Sequence, residues 1–112
     1  MESLSLPELA QEHLSKARAA GAGRSAVTVH GRHDYVMRQT LVAIVEGEAL
    51  APHDSPQEAT LQVLSGRVRL DTGEEVWEGG VGELLVVPPQ RHDLLALEDS
   101  VILLSVGTGS NT

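Results

Sequence analysis

Five histidines are the side chains of this 112-residue chain best equipped for chemistry, because there is no cysteine to supply a thiolate, a disulfide or a sulfur ligand for zinc. Near neutral pH an imidazole can ligate a divalent metal or carry a proton. His53 stands in the stretch GEALAPHDSPQEATLQVLSG, Gly47 to Gly66. Pro52 fixes its own φ and biases Ala51 toward an extended conformation, and Pro56 repeats the constraint, so His53 sits in a stiff turn at a strand end. Beyond the turn Ala59, Leu61 and Val63 alternate with Thr60, Gln62 and Leu64, which predicts a strand whose first set looks into the space His53 borders. His92 closes a second stretch, GELLVVPPQRH, Gly82 to His92. His30 and His33 flank a GRHD turn at a spacing that could hold a metal, but no third ligand follows locally and they read as exposed turn residues. His13 falls near the apolar face of a helix and reads as a partly covered helix histidine.

The two histidine-bearing stretches resemble the two motifs of the cupins, small β-barrels. The first motif has a glycine, five residues, H-x-H, three or four residues, a glutamate, six residues and a glycine; Gly47, His53 and Gly66 match it in type and spacing. Ser55 stands at the second histidine and Ala59 at the glutamate. Glu58 is one residue early, and a one-residue shift along a strand turns a side chain to the opposite face unless a bulge intervenes. In the second motif Gly82 and Pro88 match and His92 stands where a histidine is expected, with one residue fewer between proline and histidine and no motif glycine. More narrowly, HDSPQEATLQVLSGRVRL and PPQRHDLLALEDSVILLSV are similar to the small single-domain bacterial cupins of RmlC-like jelly-roll form, whose roles are mostly unassigned. The resemblance implies an all-β, single-domain jelly-roll barrel with one N-terminal helix, often a homodimer, and no particular reaction.

The elements that must position these residues follow from pattern. Ser5 as N-cap with Glu8 three residues on predicts a helix to residue 20, stopped by Gly21, with Leu6, Leu9, Ala10, Leu14 and Ala17 on one face. Residues 1–22 are read as this helix and its linker, 23–107 as the barrel and 108–112 as a flexible tail. Asp34 to Glu46 is a long strand candidate apolar on both faces, which predicts burial against the core on one side and against something else on the other. That doubly apolar strand is the reason to expect a homodimer. Arg67-Val68-Arg69-Leu70 alternates with arginines outward; Asp71-Thr72-Gly73 is a hairpin turn into Glu74 to Glu78; Gly79, Gly80 and Gly82 form a bend-rich connection to the continuous apolar strand Leu84 to Val87; and Val101 to Val106 is the last strand.

Sixteen acidic against eight basic residues give a net charge of -8, and with no Phe, one Trp and one Tyr there are few rings on which bases could stack, so nucleic acid and anionic lipid are not expected partners. The sequence carries no membrane-length apolar run and no leader-like N-terminus, and a cytoplasmic location is expected. The function read from these residues is small-molecule binding, by a sensor or accessory protein with a degenerate metal site, in a pocket of His53, Ser55, Ala59, Leu61 and His92. His53 and His92 are its metal-ligand candidates, and any divalent ion (Zn, Ni, Fe or Mn) is expected to be weakly held because Ala59 offers no charge. The alternative is a metal-dependent cupin enzyme of oxygenase or isomerase type, with Glu58, Gln90, His33 or water recruited beside His53 and His92. A metal-free epimerase with a histidine base would need an orienting carboxylate, and Asp54 and Asp93 are adjacent on the wrong parity. An inactive structural dimer is the third reading.

Overall fold

A computed structural model of the chain describes residues 1–53 and 58–107, with only the backbone of His53. Ser55 and the tail at 108–112 therefore lie outside the described residues. One helix, α1 (Leu6–Ala19), precedes nine strands: β1 (Arg24–His30), β2 (Met37–Ile44), β3 (Ala49–His53), β4 (Ala59–Ser65), β5 (Arg67–Asp71), β6 (Val76–Gly80), β7 (Leu84–Val86), β8 (His92–Ala96) and β9 (Ser100–Gly107). They form two antiparallel sheets ordered β1-β2-β9-β4-β7 and β3-β8-β5-β6.

Ser5 caps α1 as expected, its hydroxyl accepting the Glu8 N–H at 3.3 Å, and Pro7 sits in the first turn, where a missing N–H costs nothing. The helix ends at Ala19, and the left-handed turn that follows is carried by Gly23 (φ 68) instead of Gly21. Its apolar face, Ala17 with Leu6, Leu9, Ala10 and Leu14, packs on Leu41, Ala43 and Val101. Those three residues lie on the outer face of the larger sheet. Val42 and Ile44 of the same β2 point the other way, into the barrel core with Ala59, Leu61, Val63, Val68, Leu70, Leu94 and Ile102. The second apolar face of β2 is thus covered by the chain's own helix, and it no longer calls for a second subunit. Val36 and Met37, at the start of the expected strand, are 72% and 43% exposed.

Inward and outward parity follows the alternation elsewhere. Val68 and Leu70 are buried while Arg67 is exposed and pairs with Glu78 at 3.7 Å. Three differences have simple causes. β6 begins at Val76 because residues 72–75 are consumed by the turn, where Thr72 N–H bonds Glu75 O and Gly73 N–H bonds the Asp71 carboxylate at 2.7 Å. Gly79 and Gly80 lie inside β6, paired with Val68 and Arg67. The apolar run from Leu84 is an edge strand, β7, bonded to β4 alone among the described strands, with Leu84 58% and Val86 72% exposed. An uninterrupted apolar run looks the same in sequence whether one face or both are covered.

Two anchors close the far end. Gly66 has φ 81, and a Cβ there would overlap the Asp99 carbonyl and the Ser100 hydroxyl. Ser100 is fully buried, its hydroxyl accepting the Arg67 N–H at 3.0 Å and donating to the Glu98 carbonyl at 2.7 Å. Asp99 accepts the Glu46 N–H and the Arg18 guanidinium, each at 2.9 Å, tying α1 to the sheet end. The Glu46 N–H first, and Arg18 second, hold the Asp99 carboxyl below its ordinary range.

Candidate functional site

The backbone brings the two motif histidines together. β3 and β8 pair so that His53 is the register partner of His92, across a bulge between Leu50 and His53. Pro52 stiffens the end of β3, and its carbonyl accepts the Arg91 guanidinium at 3.1 Å, which locks the two strand ends. His92 is the first residue of β8 and, by the alternation of that strand, shares its buried side with Leu94 and Ala96.

His92 is 6% exposed and its Nδ1 lies 2.8 Å from the Gln90 carbonyl. A carbonyl only accepts, so in the neutral ring Nδ1 carries the proton and Nε2 carries the lone pair. A backbone clamp of this kind fixes tautomer and ring orientation for either metal ligation or proton exchange at Nε2. Gln90, considered in sequence as a recruited side-chain ligand, contributes here through its carbonyl, which no side-chain pattern could reveal.

Position 59 decides the character of this end. Ala59 is 4% exposed, pairs with Val106, and its carbonyl accepts the Val87 N–H at 3.0 Å. The register of β4 on β9 is regular from Ala59 to Val63 and shifts only between Val63 and Ser65. With no bulge beside it, Glu58 is turned away from the side Ala59 faces. Glu58 is exposed, its carbonyl accepts the Gly107 N–H at 2.9 Å, and its side chain runs along Gly107. Among the described residues, which do not include the His53 side chain, no group of three or more His, Asp or Glu is placed to share a metal, and neither Ala59 nor the outward Glu58 sets a carboxylate on the inward face at this position. Leu61, 3% exposed, lies in the packed core with Ala59. His33 is exposed in the loop after β1, His30 stacks on Tyr35 with centroids 5.0 Å apart, and His13 is buried with Nδ1 2.8 Å from the Ser25 hydroxyl.

Beside His92 is a cleft of about 360 Å3 whose walls are Pro52, Arg91 and Asp93 from the β3 and β8 ends, Asp71 from the end of β5, and Thr72 and Gly73 from the β5–β6 turn. Asp71 and Asp93 are register partners. The turn residues were missed as site residues in sequence because a hairpin turn carries no sign of what it will lie against. The cleft can hold a small polar molecule between a guanidinium, two carboxylates and the clamped imidazole.

No family model matches the sequence, and no curated protein does. Solved structures match it along most of its length. A conserved protein of unknown function, SPY1581 from Streptococcus pyogenes, is 24% identical with a TM-score of 0.71 over 81% of this chain and 79% of its own. An RmlC-like cupin protein from Desulfovibrio desulfuricans is 20% identical with a TM-score of 0.72 over 96% and 97%. KdgF from a Halomonas species is 20% identical with a TM-score of 0.65 over 79% and 81%. These likenesses establish the fold, two antiparallel sheets and a helix in the cupin jelly-roll arrangement.

Proposed function

We propose that this cupin-fold chain binds a small molecule in the cleft beside His92, as a sensor or accessory protein whose metal site has degenerated. The observation that carries the reading is the register of β4, which turns Ala59 inward and Glu58 outward, so the carboxylate of the cupin motif has no substitute at position 59 or 58. What remains at this end is a clamped imidazole beside a polar cleft. Such a site favours reversible recognition over Lewis-acid chemistry.

Elemental analysis of tag-free protein, with a thermal-shift survey of small acids, amines and sugars, tests this. Substoichiometric metal and ligand-induced stabilisation lost in His92→Ala are expected. Stoichiometric metal that is lost in His92→Ala would overturn the reading in favour of the second one, a metal-dependent cupin enzyme built on His53 and His92 with recruited ligands. That second reading is supported by the pairing of His53 with His92 and by the clamp that leaves Nε2 as the lone-pair nitrogen.

A homodimer belongs to the same proposal, through a different face from the one the sequence suggested. β7 is an edge strand whose outward face exposes Leu84 and Val86, the kind of apolar surface that marks an interaction site. Packing the outward faces of two such strands against each other, with the seam beside β6 left open, would cover Leu84 and Val86 in both copies at once.

A further inference from the structure

β6 and β7 are edge strands of different sheets, so among the described strands no ladder closes the barrel between them. A cleft of about 140 Å3 opens at this seam, with Leu70, Trp77, Leu85 and Pro88 among its apolar walls and Glu75 at its rim. Trp77 is the chain's single tryptophan and packs half-buried against the barrel core. The six-membered ring of its indole lies over Gly79, two residues further along the same face of β6, where a Cβ would overlap the ring. Gly79 thus lets the indole lie down on its own strand, and any larger residue would push it into the seam.

We infer that this seam cleft binds a single-ring aromatic amine. It rests on the reading of the chain as a small-molecule binder but uses a cleft distinct from that of His92, the two meeting at Thr72. Three observations set the ligand class. The volume is close to the ~150 Å3 of an apolar cavity that accepts benzene. Aliphatic walls and an indole suit a flat ring. The polar end is set by Glu75, because the Thr72 hydroxyl is already committed, accepting the N–H groups of Glu74 at 3.3 Å and Glu75 at 3.0 Å and facing the Glu75 carbonyl at 3.4 Å. The Glu75 carboxylate is exposed and has no hydrogen bond or ion pair among the described residues. A cation at the ring's substituent is attracted by that rim carboxylate, whereas an anion meets both the rim charge and a net charge of -8.

Titration with benzylamine, benzyl alcohol and benzoate, followed by Trp77 emission, tests the site directly because no other tryptophan contributes. Benzylamine is expected to move the emission and to bind about tenfold more tightly than benzoate. Glu75→Gln, an exposed and fold-neutral change, is expected to remove most of that preference while leaving benzyl alcohol unchanged. His92→Ala is expected to leave all three titrations unaltered. Emission unmoved by any of the three, or benzoate binding as tightly as benzylamine, overturns the inference; so does benzylamine binding that disappears in His92→Ala, which would place the amine in the other cleft. A flat Trp77 titration beside a ligand stabilisation that still depends on His92 refutes the seam site and leaves the proposed function standing.

Discussion

Ala59→Glu puts the missing carboxylate back on the inward face, and its effect can be worked from the packing. Ala59 is 4% exposed and sits in the barrel core with Val42, Leu61 and Val87. Without metal, the four heavy atoms added beyond Cβ crowd the site, and a carboxyl group there must be desolvated or protonated. Together these cost about 3 to 4 kcal/mol. At roughly 4 °C per kcal/mol for a domain of this size, the melting temperature should fall by about 12 to 16 °C. If His53 and His92 look into the same space, the new carboxylate completes a three-ligand set, and zinc or nickel at a hundredfold excess over Kd should return about 2.7 kcal/mol, a rise of about 10 °C. Thermal melts followed by circular dichroism, with and without metal, read both changes. Ala59→Gln separates crowding from ligation: it should lose stability and gain no comparable metal response. Glu58→Ala, a surface change, should stay within about 0.5 kcal/mol of the parent and leave its metal response as it was. The reasoning fails if the parent protein shows a large metal-dependent shift that Glu58→Ala abolishes while Ala59→Glu adds nothing, because Glu58 would then be the ligand and β4 out of the register described.

Gly66→Ala should cost about 3 kcal/mol or more, from left-handed backbone strain and the collision with Asp99 and Ser100, and a chemical-denaturation midpoint close to that of the parent would contradict the geometry. Because the folded Asp99 carboxyl titrates below its ordinary value of 3.8, its contribution is fully present above that pH and is lost as pH falls through the lower folded value. Urea midpoints measured from pH 5 down to about pH 2 should therefore fall less steeply for Asp99→Asn than for the parent, and parallel curves would dismiss the clip. Arg18→Ala should flatten the curve only in part, since the Glu46 N–H is the larger cause. Light scattering is expected to give a dimer mass that Val86→Lys converts to monomer without loss of β-sheet signal; a monomeric parent at micromolar concentration refutes the β7 interface.

The sequence alone determined the features that depend on local periodicity and chirality. Strict alternation placed Ala59, Leu61 and Val63, and Val68 and Leu70, on the inner face, because successive side chains of a strand point to opposite sides whatever the strand packs against. The Ser5 cap and the apolar stripe of α1 were legible for the same reason, each being a relation between residues of one helix three or four positions apart. The shared end of His53 and His92 was legible through the spacing of two motifs. What covers a face was decided only by the tertiary structure. The outer side of β2 lies under α1, and the outer side of β7 under no described element, although both strands read as apolar throughout. The polar cleft beside His92 was likewise invisible, since Asp71, Thr72 and Gly73 reach it through the pairing of β5 with β8 across more than twenty residues of chain. Such long-range pairing depends on the summed burial of both sheets, and no window of neighbouring residues contains that sum.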